Sequence, residues 1–501
     1  MYHFHTDLRN FPREAVDAGH AHGAGECCDF CKCDGPAARA LNRRVTADMS
    51  RRVFLGGTAA MLAPFVGFRA SEAVAAQPAA PDRPILFTNL RLFDGTGGNI
   101  REGVNILVEG NRISALPGVD ETVYNADIID CGGRLAMPGL IDAHWHSMMC
   151  SPSELELFTA DLGYIYLAAA HAAEQTLMQG FTTVRDAGGP SFALKRAIDE
   201  GIVNGPRIYP SGAMISQTSG HGDFRLRYEV PRGGTTPLSR AESTGVTIIA
   251  DGEAEVLRHV REQLMLGASQ IKMMAGGGVS SFYDPIDSTQ YTERELRAGV
   301  EAAEDWGTYV LVHVYGPRGI QRSIKAGVKC IDHGQLTDEE SVRMMAGEGT
   351  WWSLQPFLDD EDANPKPDPV ARAKQLEVSQ GTENAYALQK QYGVNTAWGT
   401  DILHSPRNLA NHARQLAKLT PRFYDPLELL GIATGQNGAL CGLSGPRNPY
   451  DGPIGVIEPG ALADMLIADG DPGESLNFLT DPENNLRIIM KDGRIYKNTL
   501  E

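Results

Sequence analysis

From about Pro84 to the C-terminus the sequence predicts an α/β protein: a (β/α)8 TIM-like barrel with a small β-sandwich domain built from both ends of the mature chain. Three observations predict it. Within residues 139–446, short apolar runs of β character alternate with helical stretches, the pattern of parallel strands joined by crossover helices. Eight such runs are present, the number that closes this barrel. On either side, strands and tight turns follow one another too closely to hold crossover helices.

Residues 1–76 stand apart from this organisation. Ser50-Arg51-Arg52-Val53-Phe54-Leu55 opens an uncharged run that ends at Phe68, and Ala73-Val74-Ala75-Ala76 follows. The segment resembles a twin-arginine export signal, with cleavage expected near Ala75 or Ala76 and a mature start near Gln77. The competing reading is a buried helix that follows two arginines by chance. Export of this kind would place the mature chain in the periplasm or outside a bacterium. Upstream, Cys27, Cys28, Cys31 and Cys33 cluster near His3, His5, His20 and His22, but their spacing fits no standard zinc finger. The cluster could still bind zinc through Cys31-Lys32-Cys33 and its neighbours; the alternative is a disordered leader, or translated sequence ahead of a start at Met49.

Residues 77–138 supply the first part of the sandwich, with strands expected at Ile85–Leu90, Val104–Glu109, Arg112–Leu116 and Ile128–Cys131. The eight barrel strands are expected at Gly139–Ala143, Thr182–Asp186, Arg207–Ser211, Gln270–Met274, Tyr309–His313, Lys329–Asp332, Trp351–Leu354 and Thr396–Gly399. Residues 447–501 return to the texture of the first part, in Ala463–Ala468 and Leu486–Ile495, with Lys491-Asp492-Gly493-Arg494 as a hairpin turn.

Composition narrows the partners. The 501 residues carry 45 Lys+Arg against 63 Asp+Glu, a net charge of −18, which disfavours nucleic acid and anionic membrane surfaces. No stretch approaches the roughly 20 apolar residues of a spanning helix, so no stable membrane insertion is expected. Cys131, Cys150, Cys330 and Cys441 are too scattered for a disulfide framework. A small-molecule substrate is the expected partner.

In this architecture chemistry belongs at the carboxyl ends of the strands. Strand one ends Asp142-Ala143-His144-Trp145-His146, and side chains two apart on an extended chain share a face, so both imidazoles can reach one ion. Lys272 lies on strand four, His313 ends strand five, His333 follows strand six and Asp401 follows strand eight. Of the nine histidines downstream of Gln77, four fall at predicted strand ends, a joint placement that chance does not explain.

These residues resemble the amidohydrolase superfamily of metal-dependent hydrolases. The resemblance covers Pro84 to the C-terminus and rests on Gly139-Leu140-Ile141-Asp142-Ala143-His144-Trp145-His146, Ile271-Lys272, Val312-His313, Asp332-His333-Gly334 and Gly399-Thr400-Asp401. Ser219-Gly220-His221-Gly222-Asp223 and the segment Asp284–Tyr291 further resemble the branch that holds ochratoxin-degrading amidases and metal-dependent prolidases.

The resemblance implies two divalent ions, zinc by preference. His144, His146 and Asp401 would hold the buried ion, His313 and His333 the more exposed one, and Lys272, carboxylated by carbon dioxide, would bridge them. A bridging hydroxide would attack a linear amide or peptide-like bond, with Asp401 moving the proton. His221 would hydrogen-bond the substrate. Tyr315, Arg318 and His404 are candidates for substrate binding, while Gly276-Gly277-Gly278 is expected to give the substrate close access to backbone. The same residues would also serve a cyclic amide or lactone hydrolase, and the same fold could carry a noncatalytic binding or scaffold protein. Relatives of this branch imply a homo-oligomer.

Overall fold

The computed structural model describes residues 77–230 and 237–500, which lie within one compact unit running from Ala75 to Glu501. The export motif and the Cys27–Cys33 cluster lie outside the described residues. The described chain opens with β1 (Ile85–Leu92), β2 (Ile106–Glu109), β3 (Arg112–Ala115) and β4 (Asp127–Pro138). β1 pairs antiparallel with β2 and parallel with β4.

All eight expected strands then follow, with two additions. β5 (Leu140–Trp145), β6 (Phe181–Asp186) and β7 (Arg207–Pro210) form one parallel sheet. β8 (Met214–Ser216), β9 (Thr247–Ile249), β10 (Ile271–Met274), β11 (Val310–Val314), β12 (Cys330–His333), β13 (Trp351–Leu354) and β14 (Thr396–Trp398) form a second. Its order is β14-β13-β12-β11-β10-β8-β9.

β7 matches the third expected strand, and β8, one of the two additions, follows it closely in the chain. β7 pairs with β6 and β8 with β10, and the chain passes from one sheet to the other through Gly212, whose φ of +74° suits glycine. At the opposite margin, Asp401 N donates to His144 O at 2.9 Å. A side chain at Gly399 would lie 2.3 Å from His144 N, so only glycine lets β14 come this close to β5.

Residue alternation decides which side chains enter the site. In β11, Val310, Val312 and Val314 pack in one cluster with Leu296 and Val300 of the helix Glu293–Glu304, while Leu311 belongs to a separate cluster with Tyr309 and Cys330. His313 shares the face of Leu311. In β10, Ile271 and Met273 join the helix-side cluster, which leaves Lys272 and Met274 for the opposite face.

The chain closes with β15 (Met465–Ala468), β16 (Leu486–Lys491) and β17 (Arg494–Asn498). The expected turn is present between β16 and β17, with Asp492 at φ 55° and Gly493 at φ 69°, the pair of positive values a two-residue hairpin favours. The two ends of the described chain do meet. Their hydrogen bonds, however, make one mixed seven-stranded sheet, ordered β17-β16-β15-β4-β1-β2-β3, because β15 pairs antiparallel with β4. Its apolar cluster draws on both flanks, including Phe87, Ile106, Ile467 and Ile488. Among the described residues no helix is long and apolar enough to cross a membrane.

Candidate metal centre

The residues singled out at the strand ends converge. The rings of His144 and His146 lie 5.3 Å apart, those of His144 and His333 4.7 Å, and those of His313 and His333 4.5 Å. Asp401 Oδ1 is 3.4 Å from His146 Nε2 and 3.7 Å from His144 Nε2. Donor atoms of His144, His333 and Asp401 all lie within 4.8 Å of one another, close enough for a shared ion. Lys272 Nζ lies 4.0 Å from Asp332 Oδ2, which in turn is 2.6 Å from His144 Nδ1.

Two of these positions depend on left-handed backbone. Strict alternation in β12 would send His333 to the face of Ile331; at φ 75° the strand instead breaks at His333, and its ring joins the site. Asp401 has φ 53°. Non-glycine residues in this region cost on the order of 1–3 kcal/mol each, and such strain collects at functional sites.

Each imidazole is oriented by a partner on its other nitrogen. His146 Nδ1 donates to Gly188 O at 2.8 Å and His333 Nδ1 to Gln355 Oε1 at 2.7 Å, so both present Nε2. His313 is reversed: its Nε2 donates to Gly277 O at 3.1 Å and leaves Nδ1 as the lone-pair nitrogen. His144 turns Nδ1 toward Asp332, whose carboxylate accepts both Nη2 contacts from Arg185 at 3.0 and 2.9 Å. Trp352 Nε1 donates to His333 O at 2.7 Å, a bracing role for a tryptophan that is otherwise core.

The electrostatics suit a cation. Burial and the charge of Lys272 push His144 down to about 4, and burial first, then neighbouring imidazoles, holds His313 and His333 well below the usual range. All three are therefore neutral at pH 7, the form in which an imidazole can bind a metal. Burial alone would raise Asp401, but the imidazoles of His144, His146 and His333 outweigh it and keep the carboxyl ionised. Burial lowers the pKa of Lys272. Neutral imidazoles and a carboxylate are the hard-to-borderline donors that divalent zinc accepts, so the residues fit a divalent metal. A buried lysine of lowered pKa also spends more time as the free amine that reacts with carbon dioxide.

Above the centre lies a cavity of about 190 Å3 lined by His146, Lys272, His313 and Asp401. His221, Tyr315 and His404 line it too, as the sequence placed them. His221 Nδ1 is 2.6 Å from Ser281 Oγ and its ring stacks on His313 at 4.0 Å. His404 Nδ1 donates to Pro152 O at 3.0 Å. Arg318 does not line the cavity. It is exposed near the start of the helix Pro317–Lys325, which carries the side chain to solvent, so the role expected for it is not available there. The glycine run also serves a different purpose from the one expected: a side chain at Gly278 would lie 2.0 Å from the His221 ring, and one at Gly277 1.9 Å from Pro285 O. These glycines make room for the protein's own loop.

Several supporting residues escaped the sequence reading. Asp332 stood inside the motif Asp332-His333-Gly334, and Arg185, the one cation of the buried strand β6, was its findable partner. Asp142 likewise stood inside the motif that ends at His146, whereas Gln355 and His412 carried no such signal. His412 Nε2 lies 2.8 Å from Asp142 Oδ2, which also accepts from Thr400 Oγ1 at 2.6 Å, while Asp142 Oδ1 accepts from His144 N at 2.9 Å.

A cluster of neutral imidazoles and an ionised aspartate at the ends of parallel strands defines the class of metal-assisted hydrolases. The chain belongs to the amidohydrolase family, whose model matches residues 135–496, and is thus an enzyme that hydrolyses carbon–nitrogen bonds of the amide type. It is 31% identical over 435 residues to ochratoxinase of Aspergillus niger, covering 82% of this chain and 86% of that protein. Among solved structures it is similar to a prolidase complexed with N-methylphosphonate-L-proline, at 32% identity and a TM-score of 0.75, over 83% of this chain and 100% of the other. A Xaa-Pro dipeptidase with bound methionine superposes with a TM-score of 0.72 at 27% identity, again over 83% and 100%.

Proposed function

We propose that this chain is an exported, binuclear metal-dependent amidohydrolase that cleaves a linear amide or peptide-like bond in N-acyl amino acids or dipeptides, ochratoxin-like amides included. The observation that carries the reading is the convergence of four oriented imidazoles, Asp401 and a buried Lys272 on the floor of one cavity. Similarity to an ochratoxinase and to prolidases supports the choice of bond.

His144, His146 and Asp401 would hold one ion, His313 and His333 the other, and carboxylated Lys272 would bridge them. Bound there, the ions would activate water and draw charge from the scissile carbonyl. Asp401 takes the proton of the attacking water and passes it to the leaving nitrogen, a base that becomes an acid. His221, with Nδ1 engaged by Ser281, keeps Nε2 for the substrate carbonyl or carboxylate, and Tyr315 and His404 hold the substrate from the cavity wall.

The same reading includes a closed barrel, supported by the Asp401 N to His144 O bond between its margins, and a terminal sheet folded over its own apolar cluster as a sandwich. It includes twin-arginine export to the periplasm or beyond, and assembly of several copies. Metal analysis together with hydrolysis of N-acyl amino acids, dipeptides and cyclic amides tests the function. We expect roughly two divalent ions per chain and turnover of linear amides; turnover that survives thorough chelation, or of cyclic amides alone, would overturn it. Mass analysis of the exported protein should find a start near Gln77.

A further inference from the structure

Three lysines line the cavity, and two are accounted for: Lys272 lies 4.0 Å from Asp332, and Lys418 3.0 Å from Asp360. Lys366 is different. Its ammonium has no ion pair and no side-chain hydrogen bond among the described residues, although the residue is only partly exposed. A half-buried cation that has lost water without gaining a partner is costly, and burial accordingly lowers its pKa. An anion in the cavity would recover that cost.

The segment that carries Lys366 is pinned on both sides. Lys366 N donates to Gln375 Oε1 at 3.1 Å, Asn364 Nδ2 to Leu403 O at 3.0 Å, and Asn408 Nδ2 to Asp362 O at 2.9 Å. The backbone that carries Lys366 is therefore fixed at the cavity wall, and the charge of its ammonium acts on both His404 and Asp401. The rest of the wall is largely apolar, with Met149, Phe158, Phe224 and Phe357 among its residues. Two carboxylates act on Lys366 without contacting it, Glu154 first and then Asp401, and both line the cavity.

We propose that Lys366 is a specificity-determining residue that binds a free carboxylate on the substrate, so that the cavity selects N-acylated apolar amino acids or peptides ending in an apolar residue over neutral amides. It takes the place that the sequence had suggested for Arg318, and it rests on the reading of this cavity as the substrate site. Glu154 competes for the same ammonium and sets the strength of the selection.

Calorimetric titration of the full chain tests this with N-methylsulfonyl-L-phenylalanine and its carboxamide, whose sulfonamide bond resists hydrolysis. The acid should bind at least about tenfold tighter than the amide. Lys366→Met should bring that ratio to near one, Lys366→Arg should restore most of it, and Glu154→Gln should tighten the acid severalfold. Equal binding of acid and amide by the unaltered chain, or an unchanged ratio in Lys366→Met, would overturn the inference. If the protein hydrolyses linear amides while the ratio ignores Lys366, the inference fails and the proposed function stands. Lys366-dependent selection by a chain that hydrolyses nothing in the panel would reject the function and keep the inference.

Discussion

Asp332 Oδ2 lies 2.6 Å from His144 Nδ1, with both side chains buried. The same carboxylate neutralises Arg185, itself fully buried. One aspartate therefore orients a candidate metal ligand and balances an interior cation. Burial would raise its pKa, but Arg185 and His144 hold it far below the usual carboxylate range.

Asp332→Asn keeps the volume and removes the charge, leaving Arg185 uncompensated. Breaking one side of a buried pair costs about 3–5 kcal/mol, and loss of the carboxylate behind a ligand histidine weakens metal about 10–100-fold. A large drop in the urea midpoint together with reduced metal content is the expected result. A variant of native stability would show that Arg185 finds other compensation.

Asp401→Asn preserves an oxygen donor but cannot carry the proton. Turnover should fall by at least about 100-fold while much of the metal is retained. Metal analysis and kcat measured on the same sample separate the two effects. An active variant would reject Asp401 as the proton carrier.

Lys272→Ala removes the proposed bridge. Activity should vanish, and short carboxylic acids added at millimolar concentration should restore part of it by supplying the missing oxygens. Full activity without supplement would rule the bridge out. The rescue also tells a lost ligand from a lost fold, since an unfolded variant would not respond.

Lys491, 4% exposed, offers a test remote from the site. Burial and Arg207 push its ammonium down to about 8 from 10.5, against the pull of Asp464 and Asp492. Between those two values the unfolded chain holds the extra proton, so stability should rise with pH, by roughly 3 kcal/mol over the window at about 1.4 kcal/mol per pH unit. Below pH 8 the cost of charging the buried amine is fully present. Lys491→Met should therefore be stabilising near pH 7, and its advantage should shrink toward pH 10, as measured by urea unfolding at both values.

Much of this was legible along the chain. The eight expected barrel strands are all strands, because β-branched and apolar runs bounded by turn residues mark them locally. The candidate ligand histidines were legible for the same reason: His144 lies in β5 and His146 just past its end, while His313 is the last residue but one of β11. β9 went unread although Thr247-Ile248-Ile249 carries the right residues, since three residues give too little periodicity. The break between β7 and β8 was invisible, because it depends on which neighbour each half finds. Arg318 was misplaced because a helix N-terminus near a ligand can face either the site or the solvent.

Local order therefore specified the strand sequence, the faces on which Lys272 and His313 lie, and the family to which the chain belongs, because periodicity two and short motifs are properties of neighbouring residues. The fold alone decided what stands behind and above those ligands. Asp332 beneath His144, Gln355 behind His333, and Lys366 across the cavity come from segments far apart in sequence. Hydrogen bonds and ion pairs between such segments leave no periodic trace; they exist only once burial has removed the water that would otherwise satisfy each group.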